Sequence, residues 1–73
     1  MALFGNLVRK HIGRGENRTC IAIEPQFWQA ADKVAQAHGM ICMDWVMEQL
    51  SRKPQQVGSA SWLRVAILEA ARN

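Results

Sequence analysis

The sequence predicts a mainly helical chain with one β-strand, which assembles as a homodimer by pairing that strand with its copy. Three observations predict this class. The stretch RTCIAIEP, residues 18–25, alternates in hydropathy like a half-buried strand, whereas most of the sequence after it has helical spacing. The chain has only 73 residues, and 49% of them are hydrophobic. A chain this short has difficulty enclosing so much apolar surface alone, and association with a second copy is a common solution.

The predicted strand raises the question of what pairs with its backbone. Its inner face carries Thr19, Ile21 and Ile23, and its outer face carries Arg18, Cys20 and Ala22. One internal partner is the segment LVRKHI at 7–12, but it does not alternate cleanly and the intervening GRGEN is longer and more polar than a tight hairpin turn. We therefore predict antiparallel pairing with the same strand of a second chain, with the inner face in a shared dimer core.

Three helices follow. The first runs from about Pro25, since proline suits the first helical position, to His38, and Gly39 ends it as a left-handed cap. The second covers roughly 41–51. A linker punctuated by proline and glycine precedes the third, which begins near residue 59 or 61. Apolar faces at helical spacing place five further residues in the predicted dimer core: Trp28, Trp45, Val46, Leu50 and Trp62.

The positive charge lies almost entirely before the first helix. Residues 1–23 carry four basic side chains and one acidic side chain, whereas residues 24–73 carry five of each. A basic N-terminal arm on a neutral helical body is typical of proteins that bind nucleic acid, although a solvated tail has the same composition. The arm residues predicted to contact DNA are Arg9, Lys10 and Arg14.

Other functional classes fit less well. The spacings of Cys20, Cys42, His11 and His38 match no zinc pattern or disulfide framework, so we predict no metal, no cofactor and no enzymatic activity. The apolar runs are far shorter than a membrane span, and the N-terminus has the wrong charge order for a secretion signal, which favours a cytoplasmic protein. Tryptophans that stack on single-stranded bases, and an interfacial membrane helix at ALFGNLV, are weaker alternatives.

The order of these features resembles the ribbon-helix-helix DNA-binding family. The segment IAIEPQFWQAADKVAQAHGM resembles a subgroup with an EP-x-FW helix start, and SASWLRVAIL resembles its additional C-terminal helix. The resemblance covers about residues 18–72, so we predict a basic arm at 1–17 and a ribbon-helix-helix domain at 18–73. It implies an intertwined homodimer whose two-stranded ribbon lies in the major groove of double-stranded DNA.

The resemblance also implies contact residues. Outer strand side chains face the bases, and backbone N–H groups at the start of the second helix hold a phosphate; by position these are Arg18, Cys20 and Ala22, then Met40, Ile41 and Cys42. The family usually has polar readers on the strand, because base edges are read by hydrogen bonds, and a Ser or Thr cap on the second helix. This chain has Cys20, Ala22 and Ile41 at those places.

The predicted function is therefore a homodimeric DNA-binding transcriptional regulator, such as a repressor. The alternative is a protein-interaction module of the antitoxin type, in which the ribbon face or the third helix binds another protein.

Overall fold

The computed structural model describes residues 6–72, except the side chain of Asn17. Two strands, β1 (Val8–Ile12) and β2 (Thr19–Ile23), are followed by three helices: α1 (Pro25–Ala37), α2 (Cys42–Ser51) and α3 (Ser59–Ala71). The predicted helices are confirmed, with ends that differ by a residue or two. Helix α1 begins at Pro25, and Gly39, just after the end of the helix, has a positive φ of 67°.

The prediction of a single strand per chain was wrong, because β2 pairs with β1 of the same chain. The two strands form an antiparallel sheet whose register runs from Val8 opposite Ile23 to Ile12 opposite Thr19. Two glycines make the connection possible: Gly13 and Gly15 have φ values of 116° and 60°, and a short 3-10 turn, Gly15–Asn17, follows. The objection to a hairpin rested on the rules for tight turns, and this longer, glycine-containing connection is not a tight turn. Pairing of β2 with its copy can use only the other edge of β2 and stays a prediction.

The inner face of β1 explains why its sequence does not alternate cleanly. Val8, Lys10 and Ile12 share the face of Ile21 and Ile23. Lys10 is the polar residue in this row, and its Nζ lies 5.2 Å from the ring centroid of Trp28, a cation–π distance.

The core is enclosed by the sheet and all three helices of one chain. Leu63 and Ile67 of α3 are fully buried, and the Arg64 Nε donates to Glu24 Oε1 at 2.8 Å, which ties α3 to the start of α1. The buried apolar residues are Ile12, Ile21, Ile23, Trp28, Ala31, Val34, Ala35, Trp45, Val46, Leu63 and Ile67.

The residues predicted for the dimer core differ in how deeply they are buried in the single chain. Five of them are buried within the single chain: Ile21, Ile23, Trp28, Trp45 and Val46. Leu50 and Trp62 are half-buried and Thr19 is exposed. Their contribution to a dimer stays a prediction.

Candidate nucleic-acid interface

The outer face of the β1–β2 hairpin brings basic and small side chains together. Arg9 lies opposite Ala22, and His11 lies opposite Cys20. Arg18 precedes β2 with extended backbone, two residues before Cys20. We call these five residues the outer sheet face. Four are exposed and Ala22 is half-buried. The face carries two arginines and no carboxylate, so its electrostatic character suits a polyanion.

His11 was missed as a candidate contact residue because β1 was not expected to be a strand. Once residues 8–12 form a strand, the period of two places His11 on the same face as Arg9. The imidazole then adds a polar group beside Cys20, at a position where β2 itself offers only a thiol.

The three basic residues predicted in the arm point in different directions. Arg9 belongs to the outer sheet face, whereas Lys10 is exposed on the opposite face of β1 and lies over Trp28. Arg14 lies in the connection between the strands, and its Nη2 is 3.7 Å from Asp44 Oδ1 at the start of α2. Both partners of this ion pair are well exposed, so its contribution to stability is small. Residues 1–5 of the predicted arm lie outside the described part of the chain.

The start of α2 offers fewer phosphate donors than the resemblance implies. Ile41 is the N-cap and makes no side-chain cap hydrogen bond, so α2 begins at Cys42 with uncapped first-turn N–H groups. The Met40 N–H is already donated to the Ala35 carbonyl at 2.9 Å, as part of the end of α1. Asp44 adds a negative charge to the first turn, which favours the helix but opposes a phosphate.

The two cysteines lie in different surroundings. Cys20 is exposed on the outer sheet face, while Cys42 is half-buried against the core. Burial raises the pKa of the Cys42 thiol above its ordinary value, and the nearby charge of Asp32 acts in the same direction. Cys42 therefore packs as a small neutral side chain. Within residues 6–72, no three His, Cys, Asp or Glu side chains are grouped so that they could hold a metal ion.

The comparisons with known proteins agree with this architecture. A family model described as a ribbon-helix-helix domain matches residues 9–71. The match begins inside β1, so it spans the hairpin connection, β2 and the three helices. No curated protein and no solved structure matches the chain. In the described part of the chain, no helix has the length and apolar character needed to cross a membrane. Since the family model covers most of its length, the chain belongs to the ribbon-helix-helix domain family.

Proposed function

We propose that the chain is a homodimeric protein that binds double-stranded DNA through its β-sheet and regulates transcription. Ribbon-helix-helix domains generally occur in DNA-binding regulators, and the fold is not an enzymatic one. The observation that carries the proposal for this chain is the outer sheet face. Arg9, His11 and Arg18 are exposed there without an acidic neighbour on the same face. Contacts of basic side chains with phosphates supply most of the non-specific affinity for DNA.

The open edge of β2 also supports the proposed dimer. Within the described residues β2 pairs with β1 alone, so the second edge of β2 has no strand partner in a single chain. An open strand edge presents unpaired N–H and C=O groups that readily accept another strand. Antiparallel pairing of two β2 strands about a two-fold axis places two outer sheet faces side by side, which doubles their charge.

The experiment that tests the proposal is a titration of a fluorescent random-sequence duplex, followed by anisotropy at several salt concentrations. We expect affinity to fall steeply with salt, because each neutralised phosphate contributes about 0.9 to the slope of log affinity against log salt. The double substitution Arg9→Glu and Arg18→Glu should abolish binding. A variant with two substitutions outside the sheet, Arg52→Glu and Arg72→Glu at the C-caps of α2 and α3, carries the same net charge and should retain binding. Equal losses in the two variants would contradict a localised interface.

A second candidate function, binding of another protein, is favoured by α3. Val65 and Leu68 lie on its outer side and are 55% and 53% exposed, although both are large and apolar. Exposed apolar side chains that lie together often belong to a protein interface. Substitution of both by Lys should leave DNA binding intact if the proposed function is correct. If the unmodified protein fails to bind any duplex at low salt, the interaction function replaces the DNA-binding one.

A further inference from the structure

We propose that β1 stays on the sheet when the protein binds DNA, so that the DNA-binding surface is a four-stranded sheet with Arg9 and His11 on its outer strands as phosphate contacts. This inference rests on the proposed function, because it describes how the same dimer meets DNA. It differs from the two-stranded ribbon that the family resemblance implies.

The first step is that β1 is anchored through its inner face. Ile12 is only 4% exposed and belongs to the core. The Trp28 Nε1–H donates to the Val8 carbonyl at 2.7 Å, and Lys10 lies over the same indole ring. Releasing β1 would expose Ile12 to water and break the sheet ladder as well as this hydrogen bond. DNA on the outer sheet face does not compete with any of these inner contacts.

The second step is the order of strands in the dimer. Because β1 occupies one edge of β2, a second β2 can pair only at the other edge. The order across the sheet is then β1, β2, the partner's β2 and the partner's β1. Neighbouring strands lie about 4.8 Å apart, so the two outer strands are roughly 14 Å apart. The major groove is about 12 Å wide, so the inner pair of strands fits into it and the outer strands overlie its walls, where the phosphates are.

The third step is that the side chains match these positions. The inner strands carry the small Cys20 and Ala22, which allow the backbone to approach the floor of the groove closely. The outer strands carry Arg9 and His11, whose N–H groups are suited to phosphate oxygens. The absence of strong hydrogen-bonding readers on β2, which departs from the family pattern, is thus accompanied by basic groups on the neighbouring strand.

A cross-strand disulfide tests whether β1 stays in place. His11 lies directly opposite Cys20, so the substitution His11→Cys places two thiols at a pairing distance that suits a disulfide, and a second substitution, Cys42→Ala, removes the other thiol. The oxidised and reduced forms of this one variant both lack the imidazole, so their comparison isolates the effect of locking β1. We expect the two forms to bind a duplex with affinities within about twofold of each other, a difference of only about 0.4 kcal/mol.

Several outcomes separate the proposals. A tenfold or greater loss of affinity on oxidation would mean that β1 must leave, which overturns this inference but keeps the proposed function. If neither form nor the unmodified protein binds a duplex, the proposed function fails and this inference fails with it. Amide hydrogen exchange of residues 8–12 provides a second measurement on the unmodified protein. Exchange should stay equally slow or become slower when DNA is added, and faster exchange would contradict an anchored β1.

The phosphate contacts are tested by salt dependence. Arg9→Ala removes one contact from each chain, so the slope of log affinity against log salt should become shallower by roughly 1.8. His11→Ala should also weaken DNA binding, because it removes an N–H group from the outer strand of each chain.

The matched control is Arg72→Ala. Residue 72 is the C-cap of α3 and lies outside the sheet, next to Ala70 and Ala71, which line a groove with Ala37 and His38 at the end of α1. This variant loses the same charge and should keep the slope of the unmodified protein. If Arg9→Ala and Arg72→Ala give the same slope, Arg9 is not a phosphate contact.

Discussion

Two tryptophan side chains each join two elements through an indole hydrogen bond. Trp28 of α1 donates to the Val8 carbonyl of β1, and Trp62 of α3 donates to the Gln49 carbonyl of α2, both at 2.7 Å. The indole combines a large apolar surface with one donor, so Trp28 is buried in the core while both residues satisfy a carbonyl of a neighbouring element. Substitution by phenylalanine keeps much of the apolar surface and removes the donor.

We expect Trp28→Phe to lower the free energy of unfolding by about 1–3 kcal/mol, because the partly buried Val8 carbonyl loses its partner. The loss should be local to the hairpin, so amide exchange of residues 8–12 should accelerate. Trp62→Phe is the matched control, because it removes an equivalent bond between α2 and α3. The same acceleration at residues 8–12 in both variants would contradict a specific link between Trp28 and β1.

The ion pair between Glu24 and Arg64 predicts a pH dependence of stability. Hydrogen bonding from Arg64 is the main cause that lowers the pKa of the Glu24 carboxyl below its ordinary value of 4.5. A lowered pKa in the folded state means that the stabilisation is present above about pH 4.5 and is lost as the pH falls through the folded-state value. We expect Arg64→Gln to reduce the loss of stability between about pH 6 and pH 3, measured by urea unfolding. An unchanged pH profile would show that the pair does not contribute.

At the scale of elements, β2 has two faces with opposite tolerance to substitution. Ile21 and Ile23 on the inner face are 2% and 0% exposed, whereas Cys20 on the outer sheet face is exposed. Ile21→Asp or Ile23→Asp buries a charge without a partner and should unfold the chain, because such a penalty exceeds the stability of a small domain. Cys20→Ser should change stability by less than about 0.5 kcal/mol. Circular dichroism during thermal unfolding checks both, and reversed results would mean that the register is shifted by one residue.

The helices were predictable from sequence because their signals are local. Pro25 and Gly39 delimit α1, and apolar residues recur at helical spacing in each helix. Strand β1 was not predictable, because Lys10 interrupts the apolar row of Val8 and Ile12. Only the structure shows that its side chain is accommodated over Trp28, which lies 18 residues further along the chain.

The candidate site was predicted in part for the same reason. Arg18, Cys20 and Ala22 follow from the alternation of β2, which is readable in the sequence. The cross-strand pairing of Arg9 with Ala22, and of His11 with Cys20, depends on the register of the hairpin. That register is set by two left-handed glycines in the connection, which no short pairing rule describes.

At the scale of the whole molecule, the core of one chain includes a residue of β1. Removal of residues 1–14 would be harmless to folding if these residues formed a separate arm. The structure instead leads us to expect a loss of roughly 1.5–3 kcal/mol from Ile12 alone, and an additional loss from the broken ladder. Urea unfolding of the truncated chain checks this, and unchanged stability would mean that residues 8–12 behave as a separate arm.

The mass of the native particle is a further expectation at this scale. Light scattering at micromolar concentration should give twice the chain mass of 8.2 kDa, because the open edge of β2 is available for a second copy. A folded particle of 8.2 kDa for the unmodified protein would contradict the strand-paired dimer.

The position of the hairpin ahead of the helices has a consequence during synthesis. Ribosomes add about 5–20 residues per second, whereas a β-hairpin closes in about 1–10 μs. Strand β2 therefore meets its first partner on the same nascent chain, and Trp28 can hold that partner in place as soon as α1 has emerged. From then on one edge of β2 is covered, so this hairpin limits premature association among unfinished copies on one messenger RNA.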